Sequence, residues 1–273
     1  MASEARTLPE QVAAVVEKAL GCGALLPLST RRTFIEDGGV RFLVYILENL
    51  ERKKQARQEQ VRASTNPFLP HDKDLFVSEI SANHLLLLNK YNVLYNHLLL
   101  VTRKFEAQES LLTTDDFAAL FKCMGQFDGL AFYNGGEVAG ASQPHKHLQL
   151  VPLPEEIDPL TAINSGRLPG ALARLDREEE KNDGALVAYK KYRGLLEEVG
   201  LGESGGIQTG PYNLLLTRQW MFVVARSREH FGPISINSLG FVGSLLVRNG
   251  DELKLLEDAG PMAVLEGVVA SPG

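Results

Sequence analysis

The apolar residues of this chain come in short runs bounded by turn residues, and this patterning constrains the fold more than any other feature. Runs such as Leu85–Leu88 and Leu98–Val101 are the length of a strand, far below the ~20 apolar residues that span a bilayer. Short apolar runs between turn signals read as buried strands. The pattern places strands at Val40–Leu47, His84–Asn89, His97–Thr102, Leu130–Tyr133 and Pro144–Val151, and a hairpin pair at Tyr212–Thr217 and Trp220–Arg226 around Arg218-Gln219. Glu36-Asp37-Gly38-Gly39 is a turn before the first of these, and Lys90–Asn96 joins the second to the third. Thr7-Leu8-Pro9-Glu10 is a capping box with an early proline, and it opens a helix that ends near Gly21 and Gly23. Thr114-Asp115-Asp116 starts a second helix, which runs to about Phe127. Leu175–Leu201 is a charged helical stretch interrupted at Asp183-Gly184, and the tail from about Ile236 to Val269 reads mainly as helices. Asn66-Pro67-Phe68-Leu69-Pro70 is expected to be rigid and extended, because each proline fixes its own φ and restrains its predecessor. Strands separated mostly by turns, with helices gathered in the second half, favour an α+β fold with a mainly antiparallel sheet over a βαβ arrangement.

A length of 273 residues allows one large domain or two modest ones. The 28 Lys+Arg against 34 Asp+Glu, a net charge of −6, argue against a surface that coats nucleic acid. They leave room for a small cationic pocket. The two cysteines, Cys22 and Cys123, form no CxxC pair, so a disulfide framework is not expected and a reducing compartment is. The N-terminal MASEARTLPEQ has no apolar core of the kind a secretory signal carries. The expected location is the cytoplasm, with no membrane and no nucleic acid as partner.

The segment most informative about chemistry runs from Asn134 to Gln149. On a strand, His145, His147 and Gln149 share one face at ~6.5–7 Å spacing, with Lys146, Leu148 and Leu150 on the other. Three hydrogen-bonding side chains in a row suit a polar site, since burying each unpaired costs about 1–3 kcal/mol. Two other readings fit the same alternation. A metal site is one, although a zinc ion wants three or four ligands and no cysteine lies near. A solvent-facing polar strand is the other. Gly135, Gly136 and Gly140 permit close backbone approach, and Ser142 and Gln143 add donors, as an anion cradle would require. The chain has no GxxxxGK[ST], GxGxxG or HExxH, so NTPase, dinucleotide-fold and zinc-protease readings lack support.

Gly140-Ala141-Ser142-Gln143-Pro144-His145-Lys146-His147-Leu148-Gln149 resembles the active-site motif of the ATP adenylyltransferases, or diadenosine tetraphosphate phosphorylases. These belong to the histidine-triad and galactose-1-phosphate uridylyltransferase superfamily. Glu36–Val40, Asn66–Pro70, Leu88–Val93, His97–Thr102 and Tyr212–Thr217 resemble family segments in the same order, so the resemblance covers roughly 33 to 265. It implies a histidine-triad-like fold and a reversible phosphorolysis of diadenosine tetraphosphate by phosphate to ATP and ADP. In that reaction His147 is the nucleophile that becomes adenylylated, Gln149 donates to a phosphoryl oxygen, and His145 orients the site or contacts phosphate. The resemblance further implies that Gly140, Ala141, Ser142 and Gln143 grip phosphates. Asn89, Lys90, Asn134, Asn213, Thr217 and Arg226 are then expected to reach the substrate, and Lys53 or Lys54 to neutralise the polyphosphate. His97 occupies a family strand-histidine position and is expected to be structural. His71, His84 and His230 belong to no constellation, and Trp220 is expected in the hairpin core.

The expected partners are small nucleotides and phosphate. Mg²⁺ would arrive with the substrate, with no organic cofactor and no resident metal. The expected organisation is a catalytic part over 1–165, a helical connector over 166–205, and a hairpin with helices over 206–273 that completes the site. Alternatives that keep parts of this chemistry are a hexose-1-phosphate nucleotidylyltransferase, a dinucleoside polyphosphate hydrolase, and a nucleotide-binding sensor without turnover.

Overall fold

The computed structural model describes residues 6–48, 66–175 and 183–271. The polar stretch with Lys53 and Lys54 lies outside them. Helix α1 (Leu8–Cys22) begins at the expected box, where the Glu10 carboxylate accepts the Thr7 N–H at 2.8 Å. It stops at Gly23, which takes the left-handed conformation with φ 76°. Strands β1 (Thr30–Asp37) and β2 (Val40–Leu47) form a hairpin across the Asp37–Val40 turn. Strand β15 (Ser244–Val247) adds to β2 in parallel, so this small sheet joins segments from both ends of the chain.

The main sheet has eight strands, with every neighbouring pair antiparallel. Its members are β3 (Phe76–Glu79), β4 (His84–Leu88), β5 (Leu98–Thr102), β6 (Leu130–Gly135), β7 (His147–Val151), β8 (Gly170–Arg174), β11 (Tyr212–Leu216) and β12 (Trp220–Ala225). In space they run β3-β4-β5-β7-β6-β11-β12-β8. Two-residue ladders, β9 (Glu203–Ser204) with β10 (Ile207–Gln208) and β13 (His230–Phe231) with β14 (Ile234–Ser235), decorate the loops. The remaining helices are α2 (Thr114–Met124), α3 (Pro159–Ile163), α4 (Gly184–Glu198), α5 (Gly250–Ala259) and α6 (Pro261–Glu266).

Alternation along the strands sends side chains to two different cores. On one face Leu86, Leu98, Leu148, Leu150, Leu214 and Val223 pack against α1, α2 and α4. Each fully buried Leu or Val there contributes about 1.5–3 kcal/mol relative to exposure. On the other face Phe132, Leu215, Phe222 and Val224 pack under the small sheet and the C-terminal helices. A third, small cluster of Phe68, Leu87, Leu99 and Val101 covers the β4–β5 side of that second face. Strand β7 lies between the β5 and β6 strands of these two clusters, and its His147 and Gln149 face the seam.

The α+β, mainly antiparallel architecture agrees with the sequence reading, and several elements depart from it. Strand β7 starts at His147, three residues later than expected, because His145 pairs only as an isolated bridge with Ala107. The tail contains β15 as well as helices. Four residues carry too little periodicity to mark a strand, and its partner β2 lies far away in sequence. The 166–205 segment holds the edge strand β8 before α4, so it is more than a helical connector. The hairpin β11–β12 is part of the main sheet itself, paired with β6 on one side and β8 on the other. Asn66–Pro70 forms a turn rather than an extended segment, because the Asn66 carboxamide oxygen accepts the Phe68 N–H at 2.9 Å.

Candidate active site

His147 is 3 % exposed. Its Nδ1 lies 2.8 Å from the His145 carbonyl, an oxygen that can only accept. The proton therefore sits on Nδ1 and the Nε2 lone pair is free. Burial lowers the imidazole pKa to about 4; the carbonyl hydrogen bond acts against this and the His145 ring with it. The ring is neutral at neutral pH.

Gln149 is oriented by a relay along the ends of β4 and β5. His97 Nε2 meets Gln149 Oε1 at 2.9 Å, and His97 Nδ1 meets Asn89 Nδ2 at 3.2 Å. An amide oxygen accepts and an amide nitrogen donates, so the His97 tautomer is set with its proton on Nε2. Burial lowers the His97 pKa to about 4, against the Gln149 hydrogen bond that raises it, and keeps this ring neutral as well. The Gln149 NH₂ group is left as the free end of the relay. His97 is thus a site residue that the sequence reading set aside as structural. The signal for it was register: Leu99 pairs with Gln149, which puts His97 at the diagonal neighbour position on the same face.

His145 has both ring nitrogens engaged by protein. Asn66 Nδ2 donates to Nδ1 at 2.8 Å, and Nε2 donates to the Thr102 carbonyl at 2.8 Å. Phe68 lies 5.5 Å and Phe105 5.5 Å from its ring centroid, and Phe68 also lies 5.4 Å from that of His147. The ring is thus fixed between the 66–68 segment and the end of β5. Asn66 and Phe68 were legible only as a Pro-rich segment. Their role comes from packing across the sheet.

The glycine-rich loop follows β6. Gly140 has φ 91°, and a Cβ there would meet Asn237 Cβ and the Ile236 carbonyl, each at 2.9 Å. Only glycine fits. The Gly140 N–H donates to Glu137 O and the Ala141 N–H to Gly136 O. These two amides are thus engaged inside the loop. Ser142 is exposed and Gln143 half-buried beside them.

Several of the expected substrate contacts are buried and hydrogen-bonded within the protein. Asn134 Oδ1 accepts from Asn213 Nδ2 at 2.9 Å and from Ser238 Oγ at 2.7 Å, while its Nδ2 makes only a 3.5 Å contact with Gly140 O. Asn213, fully buried, also donates to Ala139 O and Ser238 Oγ and accepts from Arg226 Nη1 at 2.5 Å. Arg226 donates further to the carbonyls of Val268, Arg228 and Ile236. Burial lowers its pKa to about 10, which still leaves it charged. Asn213 and Arg226 brace the glycine loop against the C-terminal segment. Thr217 lies in the β11–β12 turn, where its hydroxyl accepts the Gln219 N–H at 3.2 Å. It stands at the opposite end of β11 from Asn213, about 13 Å along the strand. Asn89 is engaged by His97 and by the Tyr91 N–H at 3.2 Å. The Lys90 ammonium lies 5.7 Å from the Tyr91 ring centroid in the turn after β4.

On the opposite face from the histidines, Lys146 is buried in an ion network with Asp116 at 2.7 Å and Glu106 at 3.1 Å. His84 completes it at 2.9 Å from Asp116, so this histidine does belong to a constellation, a structural one. Trp220 is buried in the core beneath the small sheet, as expected. Among the described residues no group of three His, Cys, Asp or Glu side chains is placed to hold a metal ion. No described helix is long and apolar enough to cross a membrane.

A neutral buried imidazole with a free Nε2, next to an oriented amide and a glycine-shaped loop, is an arrangement suited to nucleophilic group transfer. The sequence model of the Ap4A phosphorylase N-terminal domain matches residues 1–168, and that of the ATP adenylyltransferase C-terminal domain matches residues 166–271. The chain belongs to the Ap4A phosphorylase family and is an enzyme of the nucleotidyltransferase class. It is 29% identical over 259 residues to diadenosine 5',5'''-P1,P4-tetraphosphate phosphorylase 2 of Saccharomyces cerevisiae, covering 80% of this chain and 79% of that protein. The fold is that of the crystal structure of yeast Ap4A phosphorylase Apa2, with a TM-score of 0.80 at 24% identity, covering 97% of this chain and 98% of that one. The structure of the same yeast enzyme in complex with Ap4A matches with a TM-score of 0.79, at 24% identity and the same coverage.

Proposed function

We propose that this enzyme catalyses the reversible phosphorolysis of diadenosine tetraphosphate, and that it does so through a covalent adenylyl group on His147. The observation that carries the residue assignment is the His147 tautomer, with Nδ1–H held by the His145 carbonyl and Nε2 free. Nε2 attacks the α-phosphorus, the N–P bond forms, and the P–O bond to ATP breaks. Inorganic phosphate then attacks the same phosphorus from the face the leaving group vacated. The N–P bond breaks, ADP departs, and the neutral imidazole is restored. Two in-line steps replace one difficult displacement.

In the phosphorolytic direction the groups displaced are ATP, a polyphosphate anion, and then the neutral imidazole of His147, and neither needs a proton from the enzyme. This is why an amide suits position 149. Oriented by His97, the Gln149 NH₂ donates to a non-bridging oxygen as charge redistributes. Ser142, Gln143 and the weakly engaged Nδ2 of Asn134 are the donors on this side of the sheet for the neighbouring phosphates. Lys90 is the nearby cation of the β4 turn, and Lys53 or Lys54 would add charge from outside the described residues. Mg²⁺ would enter as part of the substrate, keeping most of its waters. In this reading the C-terminal hairpin completes the site from behind, through Asn213 and Arg226.

The test is incubation with diadenosine tetraphosphate, with and without phosphate, followed by nucleotide chromatography. ATP and ADP forming only with phosphate is the expected result. Two ADP, or AMP with ATP, in the absence of phosphate would make the protein a hydrolase, and binding without turnover would make it a sensor. Intact-mass analysis of the wild type is expected to trap one adenylyl group, and His147→Ala to abolish both trapping and turnover.

A further inference from the structure

One buried side chain outside the motif converges on the nucleophile. Gln108 is 1 % exposed. Its Oε1 accepts the His147 N–H at 2.9 Å, and its Nε2 donates to the carbonyls of Asn134 at 2.9 Å and His147 at 3.3 Å. The sheet register shows what this does. Strands β6 and β7 pair from Leu130↔Val151 to Phe132↔Gln149, and the same register would bring Asn134 opposite His147. There the strands part, and the carboxamide lies between them. A carboxamide presents the donor and acceptor of a peptide group, so it closes the gap without orphaning either main chain.

Gln108 is itself held firmly. Its N–H donates to the Pro144 carbonyl at 2.9 Å, and its own carbonyl accepts the Tyr133 hydroxyl. Ala107 bridges His145, and the Lys146 N–H donates to the Glu106 carbonyl at 2.8 Å. The 106–108 segment thus runs as a short splint beside 144–147.

We propose that Gln108 is a positioning residue for His147, a wedge that parts β6 from β7 at the nucleophile and sets the line along which Nε2 meets the α-phosphorus. The inference rests on the assignment of His147 as nucleophile. Without the carboxamide, either the strands close or the His147 N–H and two carbonyls lose their partners. Both move the ring, while Gln149 keeps its own hydrogen bond to His97. A displacement of about 1 Å at a reacting atom costs about 10²-fold in rate.

The experiment is single-turnover adenylylation of the full-length protein by diadenosine tetraphosphate, in the wild type, Gln108→Met and Gln108→Glu. Met keeps the length without hydrogen bonds, and Glu keeps the acceptor while losing the donors. The amplitude counts competent sites and the rate constant reports the chemistry at each. The expected result is a rate constant lowered about 10²-fold in Gln108→Met, with amplitude and KM close to wild type, and an intermediate loss in Gln108→Glu. A residue serving stability alone would lower the amplitude and the melting temperature and leave the rate constant of the surviving sites unchanged. That outcome overturns the proposal. If Gln108→Met does not fold, Gln108→Glu decides by the same split. A wild type that takes up no adenylyl group refutes the nucleophile assignment and this inference with it. A wild type that is adenylylated, with variants that match its rate, refutes the positioning role alone.

Discussion

Replacing Lys146 by methionine tests how the sheet holds the catalytic strand. Lys146 sits between the two motif histidines in sequence, and its side chain crosses to the opposite face. Its Nζ lies 2.7 Å from Asp116 Oδ2, 3.0 Å from the Leu111 carbonyl and 3.1 Å from Glu106 Oε2. The Lys146 and Asp116 side chains are 1% and 2% exposed, whereas Glu106 is 44% exposed and contributes little. Burial alone would raise the Asp116 pKa. The His84 hydrogen bond, the charge and hydrogen bond of Lys146, and the Thr113 N–H hold it down at about 2. Lys146→Met keeps the stem and removes the ammonium, leaving the carboxylate buried with His84 and Thr113 and the Leu111 carbonyl without that donor. Removing one partner of a buried pair costs about 3–5 kcal/mol. The bonds that Asp116 retains place this case at the lower end, about 3 kcal/mol, or a melting temperature lower by on the order of 10 °C. The depressed Asp116 pKa itself corresponds to about 2 kcal/mol. That contribution is fully present above the unfolded value near 3.8 and is lost as pH falls through it toward 2. The gap between wild type and variant therefore narrows on the acid side. The assay is urea unfolding followed by the fluorescence of Trp220, the single tryptophan. Adding Asp116→Asn to the variant is expected to recover part of the loss, because the orphaned charge disappears. A single variant within about 1 kcal/mol of wild type, or a double variant no better than the single, would refute the reasoning.

The pH dependence follows from the burial of His147, the proposed nucleophile. Because burial lowers the His147 pKa to about 4, the reactive neutral form persists well into the acid range, and the acid limb of kcat/KM for His147 is expected near pH 4. A kinetic pH profile whose acid limb lies near 6.5, the ordinary imidazole value, contradicts a desolvated ring. Gln149→Glu keeps the acceptor that His97 needs but puts a negative charge where a donor should face the phosphoryl oxygens. Steady-state phosphorolysis is expected to show kcat lowered roughly 10²–10³-fold, and a variant close to wild type would remove Gln149 from the reaction.

Much of the site was legible before any coordinates. The His145, His147, Gln149 alternation predicted a shared face, and Phe68 packing on both imidazole rings bears this out. The Val40–Leu47 strand and the hairpin around Arg218-Gln219 stand where the apolar runs placed them. What the sequence does not show is the protein partners that polar side chains find. Asn213, Arg226 and Asn89 belong to segments that resemble the family's, and from sequence they look like substrate contacts. Their polar atoms are engaged by Asn134, by backbone carbonyls and by His97. Gln108 and Asn66 carried no motif signal, because each acts through a hydrogen bond to a residue far along the chain.

Sequence alone thus marked six of the eight strands of the main sheet, the alternation of the motif and the glycines of the loop beside it. Each is written in residues that are neighbours in the chain, where side-chain alternation and backbone conformation follow from local sterics. The tertiary structure decided which unprotonated nitrogen His147 presents, which way Gln149 points and where β6 and β7 part. Those depend on hydrogen bonds closed across the sheet between segments tens of residues apart, and a burial that leaves no local periodicity cannot be read until the partner segments have met.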